Sequence, residues 1–334
     1  MTRVRTGQAS SMTRRLRNRV VVITGASSGI GRATALTFAG KGATVVVAAR
    51  RAGPLEELAR ECEQAGGRAL AVPTDVTDEQ AVDALARSAV DNFGRVDVWV
   101  NNAGVYLLGR VEDVPMVDFR RVLDVNLVGQ VHGARAALRC FRDQGGGVLV
   151  NVGSMLSKVP APYGTAYVAS KHGVRALSDT LRTELAGEKG ISVCTVMPAA
   201  IDTPLFRHAA NYTGRAPKPP RPVYPPEKVA RIIVACAQRP QREVFAGSAG
   251  RVATLSHALL PKRTERVTAR AMEREQFFND PEPDTIGNLY SPADDPPDVG
   301  GGHGGRTRST VRTVVLAALL GSVALIVLRG RAEG

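Results

Sequence analysis

Thr24-Gly25-Ala26-Ser27-Ser28-Gly29-Ile30-Gly31 follows the apolar run Val20-Val21-Val22-Ile23 and leads into a helical pattern over residues 29–39. The three glycines explain the join. A residue without a Cβ lets the backbone turn sharply and lets a second group come close to it. The helix beyond begins with unpaired N–H groups and the positive end of its dipole, which suits an anion such as a pyrophosphate. A strand, a glycine-rich turn and a helix in that order predict the opening unit of an α/β fold.

The same rhythm continues along the chain. Apolar runs at 20–24, 44–49, 69–73, 96–100, 148–152, 191–197 and 243–246 alternate with helical patterns at 29–39, 55–65, 78–93, 117–141, 165–185 and 227–238. The runs are unbroken rather than alternating, as in strands buried on both faces. Strand and helix in alternation predict a doubly wound parallel sheet with right-handed crossovers. Residues 199–226 are proline-rich and aperiodic, and a loop of that length inside a compact domain is usually functional. The expected organisation is a basic leader (1–18), one α/β catalytic domain (19–250), a helical extension (251–279), a flexible Pro/Asp/Gly linker (280–312) and an apolar helix (313–328).

Composition narrows the function. The net charge is +13 over 334 residues, and arginines crowd the leader. No aromatic residues are interleaved with them for base stacking, so no nucleic-acid partner is expected. The leader has no apolar core of signal-peptide length. Cys62, Cys140, Cys194 and Cys236 are far apart and the histidines lack ligand spacing, so free thiols in a reducing compartment and no metal site are expected. Residues 313–328 are uncharged and apolar on every face, which does not suit a surface helix. They fall short of the usual length for a hydrocarbon core of about 30 Å, but Arg312 and Arg329 bracket them and can snorkel to the headgroups. The expectation is a tail-anchored membrane protein with its catalytic domain in the cytoplasm.

Two further stretches carry chemistry. Ala48-Ala49-Arg50-Arg51 ends the second strand, where a dinucleotide fold usually places an acid for a ribose 2′-hydroxyl. A guanidinium pairs bidentately with a phosphate, so NADP(H) is favoured, with NAD(H) possible. Downstream, Tyr167-Val168-Ala169-Ser170-Lys171 puts a tyrosine and a lysine at i and i+4 on one helix face. Hydride transfer to a carbonyl leaves an alkoxide that needs a proton, and a free phenol is poorly matched to that task at neutral pH. A neighbouring ammonium favours the phenolate. Ser154, at the end of the 148–152 strand, can donate to the substrate oxygen.

Taken together, TGASSGIG, the Asp75-Val76 pair in TDVT, Asn101-Asn102-Ala103-Gly104, Asn126 in LDVNLVG, Ser154 and Tyr167-x-x-x-Lys171 resemble the classical short-chain dehydrogenase/reductase family. The resemblance covers about residues 18–250. It implies a Rossmann fold and NAD(P)-dependent interconversion of a carbonyl and a secondary alcohol. By resemblance, Tyr167 is the acid/base, Lys171 tunes it and binds the nicotinamide ribose, Ser154 orients the carbonyl, and Asn126 holds a water in a proton relay. Cofactor contacts are implied for Gly25, Ser27, Ser28, Gly29, Ile30, Gly31, Arg50, Asp75, Val76, Asn102, Ala103, Gly104, Tyr167, Lys171, Pro198 and Thr203. Asp75 would meet the adenine ring. One departure stands out: Pro198-Ala199 replaces the family's Pro-Gly. The resemblance also implies a homodimer or homotetramer, through helices corresponding to 117–141 and 165–185. Apolar residues around the cleft, among them Val105, Tyr106, Met155, Leu156, Leu205 and Phe206, point to a hydrophobic ketone or alcohol as substrate. The competing readings are an epimerase or dehydratase of the same family, and an NADPH-binding regulator or scaffold without turnover.

Overall fold

The computed structural model describes residues 16–303. Seven strands form its central sheet: β1 (Val20–Thr24), β2 (Thr44–Ala49), β3 (Arg68–Pro73), β4 (Val98–Asn101), β5 (Gly147–Val152), β6 (Ile191–Pro198) and β7 (Glu243–Ala246). Their order is β7-β6-β5-β4-β1-β2-β3, and every pairing is parallel. The direction of winding reverses between β1 and β4, which opens a crevice at the carboxyl ends of those strands. The valine-rich runs alternate between two cores. Val21, Ile23, Val45 and Val47 pack with Phe38, Leu55, Leu58 and Ile233, whereas Val20, Val22 and Val46 pack with Leu85, Phe141 and Leu181. Helices α1 (Gly29–Ala39), α2 (Ala52–Gln64), α3 (Glu79–Phe93), α4 (Met116–Leu123), α5 (Gly129–Gln144), α6 (Thr165–Glu184) and α7 (Pro226–Gln238) supply the outer layers. Local signals set their ends: Asp78 accepts from the N–H groups of Gln80 and Ala81 to start α3, and Gly94 stops it at φ 77°.

One predicted helix is two. The pattern over 117–141 is broken by a π-helical turn at Asp124–Val128. The wider turn carries Asn126, whose side chain is fully buried and bonded to the backbone of Val105 and to Ser170. Helical periodicity alone does not reveal such a bulge, which is a frequent feature of functional sites.

The extension past β7 is a hairpin of α8 (Ser248–Leu259) and α9 (Pro261–Glu275), then a short strand, Phe277–Pro281, antiparallel to Arg215–Pro217. Residues 284–303 then cross the carboxyl edge of the sheet, bonded to Arg50, Arg51, Arg121, Gly29 and Asp202. This part of the chain differs from the expected flexible linker, because its backbone carbonyls meet Arg50, Arg51, Arg121 and the first N–H of α1, all from distant parts of the chain. The tail-anchored location is likewise corrected. Among the described residues no helix is long and apolar enough to cross a membrane. The polar stretch that would have separated enzyme from anchor is fastened to the enzyme as far as His303. The run 313–328 lies outside the described residues.

The closest packing between sheet and helices falls at Gly133 of α5. A Cβ there would lie 2.0 Å from Asn101 Oδ1 and 2.7 Å from Trp99 Nε1. Those atoms bond each other at 2.8 Å, and Asn101 Nδ2 donates to Gln130 O and Asn151 Oδ1. Alanine is the better helix former by about 1 kcal/mol, but overpacking against a buried polar network costs more. Gly133→Ala is expected to lower the unfolding free energy by about 2 kcal/mol, read as a lower urea midpoint at unchanged m-value. An unchanged midpoint would mean that α5 moves off the sheet at no cost.

Candidate active site

The site begins where three backbones meet. Gly25 has φ +63°, and a Cβ on it would lie 2.6 Å from Ala103 Cα. At Gly31 a Cβ would lie 2.2 Å from the Gly25 carbonyl oxygen. Asn102 Nδ2 donates to Thr24 O at 2.9 Å and Gly25 O at 3.0 Å, tying the end of β4 to the turn after β1. At Gly29, φ +55°, a Cβ would come within 3.2 Å of Thr203, so the loop after β6 closes on the start of α1. Each glycine stands where a side chain would collide with another segment, and for two of them the backbone angle also favours glycine.

These segments enclose a cavity of about 320 Å³ that runs from Arg50 to Lys171. Gly25, Ser27, Ser28, Gly29, Ile30, Arg50, Asp75, Val76, Asn102, Ala103, Gly104, Pro198 and Thr203 all line it, together with Ser154, Tyr167 and Lys171. Gly31 and Asn126 stand behind the wall rather than in it. Asn126 Oδ1 accepts from Val105 N at 2.8 Å, while its Nδ2 donates to Val105 O at 3.0 Å and Ser170 Oγ at 3.1 Å. Its side chain thus fixes the segment after β4 against α6. Ala199, the departure from the family turn, is accommodated by Gly247, where a Cβ would lie 2.9 Å from the Ala199 methyl.

Two expected cofactor contacts already have partners. Asp75 accepts from Thr77 N and Oγ1 and pairs with Arg121 at 3.2 Å. The Thr77 and Arg121 contacts outweigh its partial burial and hold its carboxyl below the usual range. Arg50 donates to the carbonyls of Asn288, Leu289 and Tyr290, and burial lowers its affinity for its proton. No sequence signal marked the partners of Arg50, because main-chain carbonyls leave no trace in residue identity.

At the other end of the cavity, Ser154 leaves β5 in an extended conformation and its Oγ accepts from Leu156 N at 3.1 Å. That bond uses an oxygen lone pair and leaves the O–H for a further partner. Ser154 is also hydrogen-bonded to Tyr167, which works against the burial that pushes the Tyr167 phenol up to about 12. Lys171 Nζ donates to Val152 O at 3.0 Å and lies 5.5 Å from the Tyr167 ring centroid. Burial brings its ammonium down to about 8. In the chain by itself, desolvation is the larger influence on both groups. Tyr106 meets Tyr167 edge-on with ring centroids 4.5 Å apart, and its hydroxyl accepts from Gln276 Nε2 at 3.2 Å. Gln276 comes from the C-terminal extension, and a residue that distant is not linked to the site by any motif.

The cradle at the glycine turn and the cavity leading from it to the Ser154-Tyr167-Lys171 cluster fit a nicotinamide dinucleotide. The comparisons agree. Residues 19–212 match the short chain dehydrogenase family model, and the chain belongs to that family. It is 38% identical over 271 residues to the uncharacterized oxidoreductase YxnA of Bacillus subtilis, covering 80% of this chain and 76% of the relative. It is 41% identical over 195 residues to 3beta-hydroxysteroid dehydrogenase 1 of Eggerthella lenta, covering 57% of this chain and 73% of the relative. Among solved structures it is similar to an alcohol dehydrogenase from the archaeon Thermococcus sibiricus complexed with 5-hydroxy-NADP. That likeness has a TM-score of 0.60 at 28% identity, over 69% of this chain and 96% of the other. The protein is an NAD(P)-dependent oxidoreductase of the short-chain type.

The lowered Lys171 ammonium has a consequence for stability. Between about 8 and its ordinary value of 10.5 the folded chain has released a proton that the unfolded chain still holds. Stability from this group therefore rises with pH across that window. In Lys171→Met the buried charge is gone, while Val152 O keeps its bond from Gln130 Nε2. The variant is expected to be more stable than the native protein at pH 7, with the advantage shrinking between pH 8 and 10.5. Denaturation of both proteins across that range checks it, and a difference that does not change with pH would contradict the assignment.

Proposed function

We propose that the protein is an NADP(H)-dependent oxidoreductase that interconverts a hydrophobic ketone and its secondary alcohol, with Tyr167 as acid/base. The observation that carries this reading is the meeting of Ser154, Tyr167 and Lys171 in the cavity that starts at the glycine turn. When bound, the nicotinamide supplies or accepts the hydride.

The chain's own residues handle the oxygen. The Ser154 hydroxyl, whose oxygen accepts from Leu156 N, turns its O–H from Tyr167 to the substrate oxygen and holds that oxygen beside Tyr167. In the direction of reduction, Tyr167 transfers its phenolic proton to the developing alkoxide. A phenol held up to about 12 by burial is protonated at neutral pH and ready to donate. The Lys171 ammonium, anchored on Val152 O, then stabilises the phenolate left behind. In oxidation the proton moves the other way, from alcohol to phenolate. Tyr106, Met155, Leu156, Val159, Leu205 and Phe206 line the substrate end and exclude water from it. This lining, and the likeness to a relative named for hydroxysteroids, support a hydrophobic substrate. Arg50 and the adjacent Arg51, with no acid next to them in sequence at the end of β2, support NADP(H). The likeness to a structure holding an NADP analogue points the same way. The exposed Met116, Val117 and Val128 around α4 and α5 support assembly into a dimer or tetramer through that face.

Two substitutions test the reading. Tyr167→Phe keeps the ring and removes the proton, so kcat should fall by about 10²–10⁴ while the Kd for NADPH, from isothermal titration, stays within about threefold. A variant that retained a tenth of native kcat would remove Tyr167 from the acid/base role. Arg50→Asp sets a carboxylate against a 2′-phosphate and should weaken NADPH by at least about tenfold, with NADH changed little. Equal losses for the two cofactors would overturn the preference.

A further inference from the structure

Residues 284–303 lie on the groups that a dinucleotide's phosphates need. Arg50 Nη2 donates to Asn288 O at 2.8 Å, and its Nη1 donates to Tyr290 O at 2.9 Å and Leu289 O at 3.5 Å. Gly29 N, the first helix-start donor of α1, donates to Asp298 O at 2.9 Å. The segment is seated along its length. Leu289 is fully buried in the core, and Tyr290 O–H donates to Asp118 Oδ1 at 2.8 Å. His208 Nε2 lies 3.0 Å from Asp295 Oδ2. At the far end Asp202 Oδ1 accepts from Gly301 N at 3.0 Å and His303 N at 2.9 Å.

We propose that this strap is an autoinhibitory element, holding Arg50 and Gly29 N–H with its own carbonyls so that the cofactor binds in competition with it. A donor directed at a carbonyl of the strap cannot at the same time face a phosphate. The strap offers Arg50 only neutral carbonyls, whereas a phosphate brings the opposite charge and two oxygens that a guanidinium pairs with bidentately. A 2′-phosphate therefore takes Arg50 from residues 288–290, whereas an adenosine without one leaves them in place. The Arg50 half of the inference rests on the NADP(H) reading; the Gly29 half needs only a pyrophosphate and does not.

Hydrogen–deuterium exchange of the full-length protein tests it, alone and with adenosine 2′,5′-bisphosphate, AMP, NADPH or NADH. NADPH is expected to raise exchange several-fold across residues 285–298. The bisphosphate should do so at 286–290, and AMP should leave 286–290 unchanged. Protection of the segment by NADPH would make the strap a roof over the cofactor and overturn the proposal. So would unchanged exchange at saturating NADPH. Two variants loosen the strap without altering a side chain assigned to the cofactor or the chemistry. Gly287→Ala would force a Cβ to 2.4 Å from His208 O at φ +49°, and Tyr290→Phe removes the bond to Asp118. Each should lower the Kd for NADPH about three- to tenfold, and an unchanged or higher Kd in both would refute competition. Failure of the NADP(H) reading looks different: native protein would bind NADPH no tighter than NADH. Release of 296–300 from Gly29 by NADH would then still support the strap.

Discussion

The closeness of three backbones at Gly25 is the constraint on which the rest of the site depends. Gly25 touches Ala103, Gly31 touches the Gly25 carbonyl, and Asn102 bridges the two segments with its amide. A methyl group at either glycine would push β4 away from the turn after β1, and with it the whole near wall of the cavity. The neighbouring asparagine works on the other side of the strand. Asn101 faces inward and joins Trp99, Gln130 and Asn151 in a buried network. Adjacent residues on a strand point to opposite faces, so one Asn-Asn pair braces the sheet with one side chain and shapes the cofactor groove with the other.

Desolvation governs the chemical end of the cavity. It moves Tyr167 and Lys171 in opposite directions, each towards its uncharged form. The apolar walls of the cavity are therefore the same walls that hold the Tyr167 phenol in its protonated state. Ser154 and the Val152 carbonyl offset part of that cost by supplying fixed partners, and both come from the end of β5. The end of one strand thus positions the Ser154 hydroxyl and the lysine's anchor together.

The C-terminal extension builds the remainder. The α8–α9 hairpin contributes Ala253, Thr268 and Met272 to the lining of the cavity, and Gln276 steadies Tyr106 against Tyr167. Residues 284–303 reach the opposite, cofactor end. One continuous piece of chain therefore touches both ends of the cavity.

Residue identity by itself determined the sheet, most of its helices, the glycine cradle and the Ser154-Tyr167-Lys171 cluster. Those features rest on side-chain chemistry with fixed local spacing: β-branched runs, glycines where a Cβ would collide, and a tyrosine and a lysine one helical turn apart. Tertiary structure alone decided the π-helical turn at Asn126, the occupation of Arg50, and the fate of residues 280–303. The turn exists because Asn126 must bond Val105 and Ser170, and both are distant in sequence from it or from each other. Arg50 is held by carbonyls well over two hundred residues away. A Pro/Asp/Gly-rich stretch reads as a loose linker by composition, because its binding groups are backbone carbonyls that every residue carries. Only the folded chain shows which donors they meet.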